Sequence, residues 1–275
     1  MMKYFLPLLS SFFIFGCNKI EFGYKQVAPR VVINRLDDSF DFKSDRFNQI
    51  RLQVDSDFKK NQKDVAKAVH KNLDELLVLS ESKNLAATDF NKNFESLHAT
   101  QKYLIDLFKP SFEEVLNSLS KEEFDHLNNF SKEKFTEAEK LISNKEDYFE
   151  KQISSFENVM DFLFDSSTDE QVRLYKKFLE DNYSFSVYQV DVRRRFMQNF
   201  EAKLPTKDQL IDYTLKYYSG DPSIRLPEHE KKQQAFLNFF FELEYQIWKS
   251  TNDKQKIFFK KKIDSLIEEF SKLEK

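Results

Sequence analysis

Residues 252–273 read NDKQKIFFKKKIDSLIEEFSKL, and their spacing decides the fold class. Asn252 followed three positions later by Gln255 forms a capping box, in which each side chain accepts a hydrogen bond from the other residue's backbone N–H at a helix start. Apolar residues then recur at intervals of three and four positions, at Phe259, Ile263, Leu266, Phe270 and Leu273. The stretch therefore predicts an α-helix that turns one apolar stripe toward a core.

The preceding segment carries the same pattern, with Phe236, Phe240, Leu243 and Ile247 at helical spacing. Only a short polar connection, residues 249–252, separates the two stripes. Short connections join antiparallel neighbours in helical bundles. The sequence therefore predicts a closing antiparallel hairpin in which the two stripes face each other.

Helix starts of the same kind recur along the chain. Capping boxes are present at Ser120 to Glu123, Thr168 to Gln171 and Thr206 to Gln209. A helix is also predicted from about Pro29, because proline fits the first turn of a helix. The β-branched run of residues 31–33 leaves a short strand there as an alternative.

Helix breaks are few. Breaks are predicted at residues 84–88, at Lys109-Pro110, at residues 165–168 and at residues 219–222 with Pro227. No strong breaker occurs between residues 120 and 164, and a single helix over that range would be about 65 Å long. The pattern therefore predicts long elements joined by short turns.

The composition favours the same fold class. The chain has 31 Phe and 11 Tyr to fill a core, but only 3 Gly and 6 Pro. Sheets and tight turns rely on glycine, so its scarcity favours uninterrupted helices. We expect an all-α fold, an elongated bundle of long antiparallel helices, with residues 24–275 forming a single domain.

The N-terminus has the features of a secretory signal. Lys3 precedes a short apolar segment, residues 4–15, which is shorter than the roughly 20 residues of a membrane-spanning helix. Residues 14–17, Ile-Phe-Gly-Cys, resemble the bacterial lipobox, with Phe15 in place of the usual smaller residue. The resemblance implies a signal peptide over residues 1–16, lipidation of Cys17 and a tether over residues 17–23. Asn18 after the cysteine implies an outer-membrane location facing the periplasm, with membrane lipid as a partner through the acyl chains.

Several of these segments together resemble one protein family. The quoted pieces are Cys17, Tyr24, Asp37-Asp38, Phe40-Asp41-Phe42, Leu119 to Glu123, Thr168 to Gln171, Arg193-Arg194-Arg195, and Asn252 to Lys256. In this order they are similar to a family of uncharacterised helical lipoproteins of Gram-negative bacteria, a domain of unknown function. The chain carries many Phe, Ile and Lys residues where that family has Leu, Ala and Arg. The Thr-x-x-Gln pieces are also similar to the Leu-Thr-x-x-Gln family of periplasmic stress chaperones, although a capping box alone accounts for them.

No catalytic or metal-binding motif stands out. The four histidines are His70, His98, His126 and His229, and no two of them have the spacing of a zinc-protease motif. Glu95 and His98 have the spacing of one half of a di-metal bundle site, without a second copy. The sequence contains neither a glycine-rich phosphate loop nor a nucleophile elbow. We therefore expect no catalytic residues, no metal and no cofactor.

The charge pattern bears on partners. The net charge is −3, which argues against a nucleic-acid partner. Arg193, Arg194 and Arg195 form the sharpest basic cluster, and they are either an exposed helical segment or a contact for anionic lipid or an acidic partner. The sequence predicts a non-enzymatic, membrane-anchored envelope protein that binds a protein client or acts structurally. The alternative is an envelope enzyme with a site inside the helical bundle.

Overall fold

The computed structural model describes residues 23–82, 84–203 and 227–275, together with positions 208, 209, 212, 213, 216, 221 and 223. Within this part of the chain the backbone forms a π-helical turn, eight α-helices and no strand. They are the π-turn Gly23–Val27, α1 Ala28–Phe40, α2 Ser44–Glu81, α3 Ala87–Asn117, α4 Lys121–Ser143, α5 Lys145–Phe164, α6 Asp169–Lys203, α7 Pro227–Ser250 and α8 Asp253–Leu273. The prediction of an all-α fold is confirmed.

The helices run antiparallel to their neighbours. As residue numbers rise along α2, the residue numbers of its partners in α3 fall: Gln53 bonds Glu114, and Asn61 bonds Leu107. The residue numbers of its partners in α8 fall in the same way, from Leu273 beside Gln62 to Lys260 beside Glu81. With 38 residues, α2 is about 57 Å long. The structure is a bundle of long antiparallel helices.

Three of the predicted capping boxes are present. Ser120 Oγ accepts from the Glu123 N–H at 3.2 Å, and the Glu123 carboxylate accepts from the Ser120 N–H at 2.7 Å. The boxes that begin at Thr168 and Asn252 have the same two bonds. Thr206 lies outside the described residues, as do Cys17, the predicted signal peptide and most of the loop at residues 219–222.

Three other predictions about helix boundaries are confirmed. Pro29 lies in the first turn of α1, and residues 31–33 are helical, so the strand alternative is wrong. The predicted breaks at residues 84–88 and 165–168 separate α2 from α3 and α5 from α6.

One predicted boundary is wrong, and one boundary was not predicted. α3 continues through Pro110 to Asn117, although proline was expected to end the helix. Proline removes one backbone donor, but Pro110 and Asp106 are exposed, so water can reach the carbonyl that loses its partner. Residues 120–164, in which no strong breaker was seen, form two helices divided at Asn144, whose side chain accepts from the N–H groups of Glu146 and Asp147 and caps α5.

The core has two connected parts. The main core is formed by apolar side chains of α2, α5, α6, α7 and α8. A second core lies between α1, α2 and the end of α3, and Phe58 packs against both. Tyr24 belongs to the main core, where its ring lies 5.3 Å from that of Phe58 and its hydroxyl donates to the Phe58 carbonyl at 2.9 Å. The first described residues therefore join the bundle midway along α2.

The C-terminal helices pack differently from the predicted hairpin. The α8 stripe is buried as expected, with Phe259, Ile263, Phe270 and Leu273 in the main core. However, α8 lies chiefly against α2 and α5, whereas α7 lies against α6 and α3. The two helices meet near their junction, where the rings of Trp248 and Phe259 are 5.4 Å apart. The stripes contribute to one core, but they do not face each other along their length.

Candidate functional site

A cleft of about 850 Å³ opens between the second half of α2 and the first turns of α3. On α2, Lys67, Lys71, Asp74 and Val78 recur at helical spacing, so they share one face of the helix. The opposite wall carries Asn93 from α3. The cleft lies within the size range of small-molecule and cofactor pockets, which is roughly 300–1,000 Å³.

His70 connects one edge of the cleft to the end of α8. Its Nδ1 lies 2.6 Å from Glu274 Oε1, and its Nε2 lies 3.7 Å from Asp74 Oδ2. The imidazole is therefore held between two carboxylates that the sequence separates widely. Local sequence patterns could not reveal this arrangement, because Glu274 is 204 positions from His70.

Three buried polar atoms at this end of the bundle have no hydrogen-bond partner among the described residues. They are Asn72 Nδ2, Glu75 Oε2 and Asn93 Nδ2, and both Glu75 and Asn93 line the cleft. A buried polar group without a partner costs about 1–3 kcal/mol. The two that line the cleft leave one donor, Asn93 Nδ2, and one acceptor, Glu75 Oε2, available to a ligand.

The charged groups of the cleft largely compensate each other. Lys71 lies 3.8 Å from Glu75, and Lys92 lies 3.8 Å from Asp89. Ion pairs of this kind at a surface contribute little to stability, about 0–1 kcal/mol each. The cleft therefore does not select ligands by a strong field of one sign.

The predicted arginine cluster lies on α6 and does not form one patch. Arg194 bonds Glu139 of α4 at 2.6 Å and also pairs with Asp191. Arg193 is half-buried and Arg195 is exposed. Consecutive helical residues point about 100° apart, so the three guanidinium groups face different directions. A role for this cluster in binding stays a prediction.

The other histidines are distributed over the bundle. The His98 ring stacks on Phe94, with centroids 6.4 Å apart, and His126 Nε2 lies 3.2 Å from the Asp38 carbonyl oxygen. His229 is buried beside Tyr188. In the described part of the chain, no group of three or more His, Cys, Asp or Glu is arranged to hold a metal ion.

One half-buried acidic group among the apolar side chains of α7 was not predicted from the sequence. Glu244 lies three residues after Phe241 and three before Ile247, both of which are buried. Burial raises the pKa of the Glu244 carboxyl to about 8. The sequence does contain a signal for it, since Glu244 is an acid among the apolar residues of α7. We therefore expect this group to make the stability of the protein depend on pH.

No described helix is both long enough and apolar enough to cross a membrane. No protein-family model, no curated protein and no solved structure matches the chain. The family resemblance therefore rests on the sequence motifs alone, and the case for function rests on the residues themselves.

Proposed function

We propose that this chain is a lipid-anchored bacterial envelope protein, attached to the outer membrane on its periplasmic side, that acts by binding rather than by catalysis. The observation that carries the proposal is the position of the single cysteine. Cys17 ends a short apolar segment that follows Lys3, where a lipobox cysteine belongs. Two or three acyl chains at this residue would give lasting attachment, whereas one chain would not.

The start of the folded domain supports this anchoring. The first described residue, Gly23, comes six residues after Cys17, and Tyr24 is buried with only 5% of its surface exposed. Six residues of fully extended chain span at most about 22 Å. A lipidated Cys17 would therefore hold Gly23 within about 22 Å of the membrane surface.

The cleft beside His70 supports a binding role. It is open, large enough for a peptide segment, and contains buried amide and carboxylate atoms without partners. The aromatic side chains that could have formed an apolar groove are mainly buried in the core instead. We propose that a protein client of the envelope contacts the bundle at this cleft.

One observation favours the alternative of an envelope enzyme. His70 lines the cleft and is oriented by Glu274, as a general base would be. An enzyme of this kind would lose its activity in a His70→Gln variant that keeps the fold. A binding protein would instead keep its partner with only a modest change in affinity.

The proposal is tested by site-specific photocrosslinking in intact cells. Val78 and Leu52 are both exposed apolar residues of α2, with 71% and 61% of their surface accessible, but only Val78 lines the cleft. A photoreactive residue at position 78 should give discrete crosslinked products in the membrane fraction, and the same residue at position 52 should not. Identical crosslinking from both positions would contradict a binding role for the cleft. Recovery of the protein in the soluble fraction would contradict the anchor.

A further inference from the structure

A carboxylate of α2 and an amide of α3 face each other in the cleft. The two antiparallel helices meet where Ser96 Oγ donates to Asn72 Oδ1 at 3.4 Å. Glu75 lies one helical turn after Asn72, on the same side of α2, and Asn93 lies one turn before Ser96 on α3 in the same way. Glu75 and Asn93 therefore lie opposite each other, and both line the cleft. We call these two residues the polar pair of the cleft.

Each member of the polar pair keeps one atom without a hydrogen-bond partner among the described residues. Glu75 Oε1 lies 3.8 Å from Lys71 Nζ, whereas Glu75 Oε2 accepts no hydrogen bond. Asn93 Nδ2 donates none. Both residues are half-buried, so a rotation of the side chain can turn each atom toward the open side of the cleft. The pair thus offers one acceptor on α2 and one donor on α3.

An extended peptide carries the groups that complement this pair. In an extended chain the N–H and C=O groups of successive residues point to opposite sides of the backbone. A segment that lies along the two helices would therefore turn an N–H toward Glu75 and the C=O of a neighbouring residue toward Asn93. A helical segment could not do this, because its N–H and C=O groups are bonded to each other except at its ends.

The other groups of the cleft do not demand a particular sequence in the ligand. Lys71 and Lys92 are each compensated by a nearby acid, so a charged side chain of the ligand is not strongly favoured. Val78 lies one turn beyond Glu75 with 71% of its surface exposed, and it offers an apolar contact to one side chain of the ligand. Selection therefore depends mainly on the conformation of the ligand backbone.

We propose that the polar pair of the cleft binds the backbone of an extended segment of an unfolded client, whose N–H donates to Glu75 and whose C=O accepts from Asn93. The proposal rests on the proposed binding role of the cleft and names the ligand of that site. In this mode of recognition the main-chain hydrogen bonds supply affinity, and side-chain contacts supply preference. A folded protein is a poor ligand, because its own backbone groups are already paired.

The test uses the mature lipoprotein in phosphatidylcholine vesicles, with a photoreactive residue at position 78. The probe is lactalbumin kept unfolded by a reductant and a calcium chelator, and the native form of the same protein is the comparison. The unfolded probe should crosslink to position 78, and the native probe should not. Equal crosslinking of both forms would overturn recognition of an extended backbone, while the binding role of the cleft would stand. A lack of crosslinks to either form would overturn both.

Near-isosteric variants test the polar pair itself. Asn93→Leu removes the donor and Glu75→Met removes the acceptor, and both add apolar surface to the cleft. Affinity for the unfolded probe should fall by about 2–10-fold in Asn93→Leu and by about tenfold or more in Glu75→Met, because hydrogen bonds to charged groups are stronger. Asn84→Leu, the same change at an exposed position of the cleft, should alter affinity by less than about twofold. Unchanged or tighter binding in the first two variants would show that apolar contact holds the probe, and would overturn the proposal.

A second measurement leaves the protein unchanged. The lactalbumin segment that crosslinks to position 78 is synthesised as a peptide, and its backbone N–H groups are replaced one at a time by ester oxygens. Replacing the N–H that meets Glu75 should weaken binding by about tenfold or more, and replacing those of the adjacent residues should weaken it by less than about threefold. Equal losses at every position, or no loss at any, would contradict the proposed hydrogen bond.

Discussion

Replacing Gln255 with glutamate tests whether a buried amide pair joins the starts of α6 and α8. Gln255 Nε2 donates to Gln171 Oε1 at 3.0 Å and to the Ser166 carbonyl at 2.9 Å. Each glutamine also completes its own capping box, and both are almost fully buried, with 3% and 0% of their surface exposed. The two helix starts are therefore stabilised as one unit.

Two physical effects oppose each other in the Gln255→Glu variant. A negative charge in the first turn of a helix normally stabilises by about 0.3–1 kcal/mol. Here the carboxylate cannot donate, so the Ser166 carbonyl loses its donor, and the new charge faces Gln171 Oε1, which keeps its bond from the Thr168 N–H. The lost hydrogen bond costs about 1–3 kcal/mol and exceeds the gain. We expect Gln255→Glu to be destabilised by this amount, against a domain stability of about 5–15 kcal/mol.

Equilibrium denaturation with urea measures the effect. The matched control is Gln198→Glu, the same chemical change at an exposed position of α6, which should alter stability by less than about 0.5 kcal/mol. The loss in Gln255→Glu should shrink at acidic pH, because a protonated carboxyl regains one donor. If Gln255→Glu is as stable as the control or more stable than the natural chain, the buried pair does not join the two helices.

Three further predictions concern single residues. Because burial raises the pKa of Glu244 from 4.5 to about 8, the folded chain retains a proton there that the unfolded chain releases, so this group lowers stability as pH rises between these values. Glu244→Gln should therefore gain stability over the natural chain by up to about 1.4 kcal/mol per pH unit in that range, and parallel stability curves would contradict this. Phe259→Ala should cost about 3–5 kcal/mol in thermal unfolding, whereas the exposed Lys260→Ala should cost less than about 1 kcal/mol; equal losses would show that the helix face is wrongly assigned. Asn144→Ala removes the cap of α5 and should cost about 0.5–2 kcal/mol, so an unchanged melting curve would argue against the break between α4 and α5.

Local signals in the sequence were sufficient to predict where most of the helices begin. Ser120, Thr168 and Asn252 begin helices as predicted, because a capping box is satisfied by residues three positions apart. Asn144 was missed although it also caps a helix, because position 147 is Asp and not the Glu or Gln of a capping box. Pro110 was misjudged because packing of α3 on either side of it outweighs the loss of one hydrogen bond.

Long-range packing could not be predicted in the same way. The helix that follows another in sequence was assumed to be its main neighbour, but α8 crosses to α2 and α5. The cleft could not be predicted for the same reason, since His70 and Glu274 are 204 positions apart and meet through the packing of α8 against α2. The basic cluster was recognised because Arg193, Arg194 and Arg195 are consecutive in the sequence. On the helix their side chains point in different directions, and Glu139 pairs with Arg194.

Intact mass spectrometry of the protein extracted from membranes tests the central claim most directly. A lipid-anchored envelope protein predicts a mature chain that begins at Cys17 and carries the added mass of its acyl groups. A Cys17→Ser variant should remain unprocessed and leave the membrane fraction. A mature N-terminus at any other residue, without attached lipid, would contradict the account.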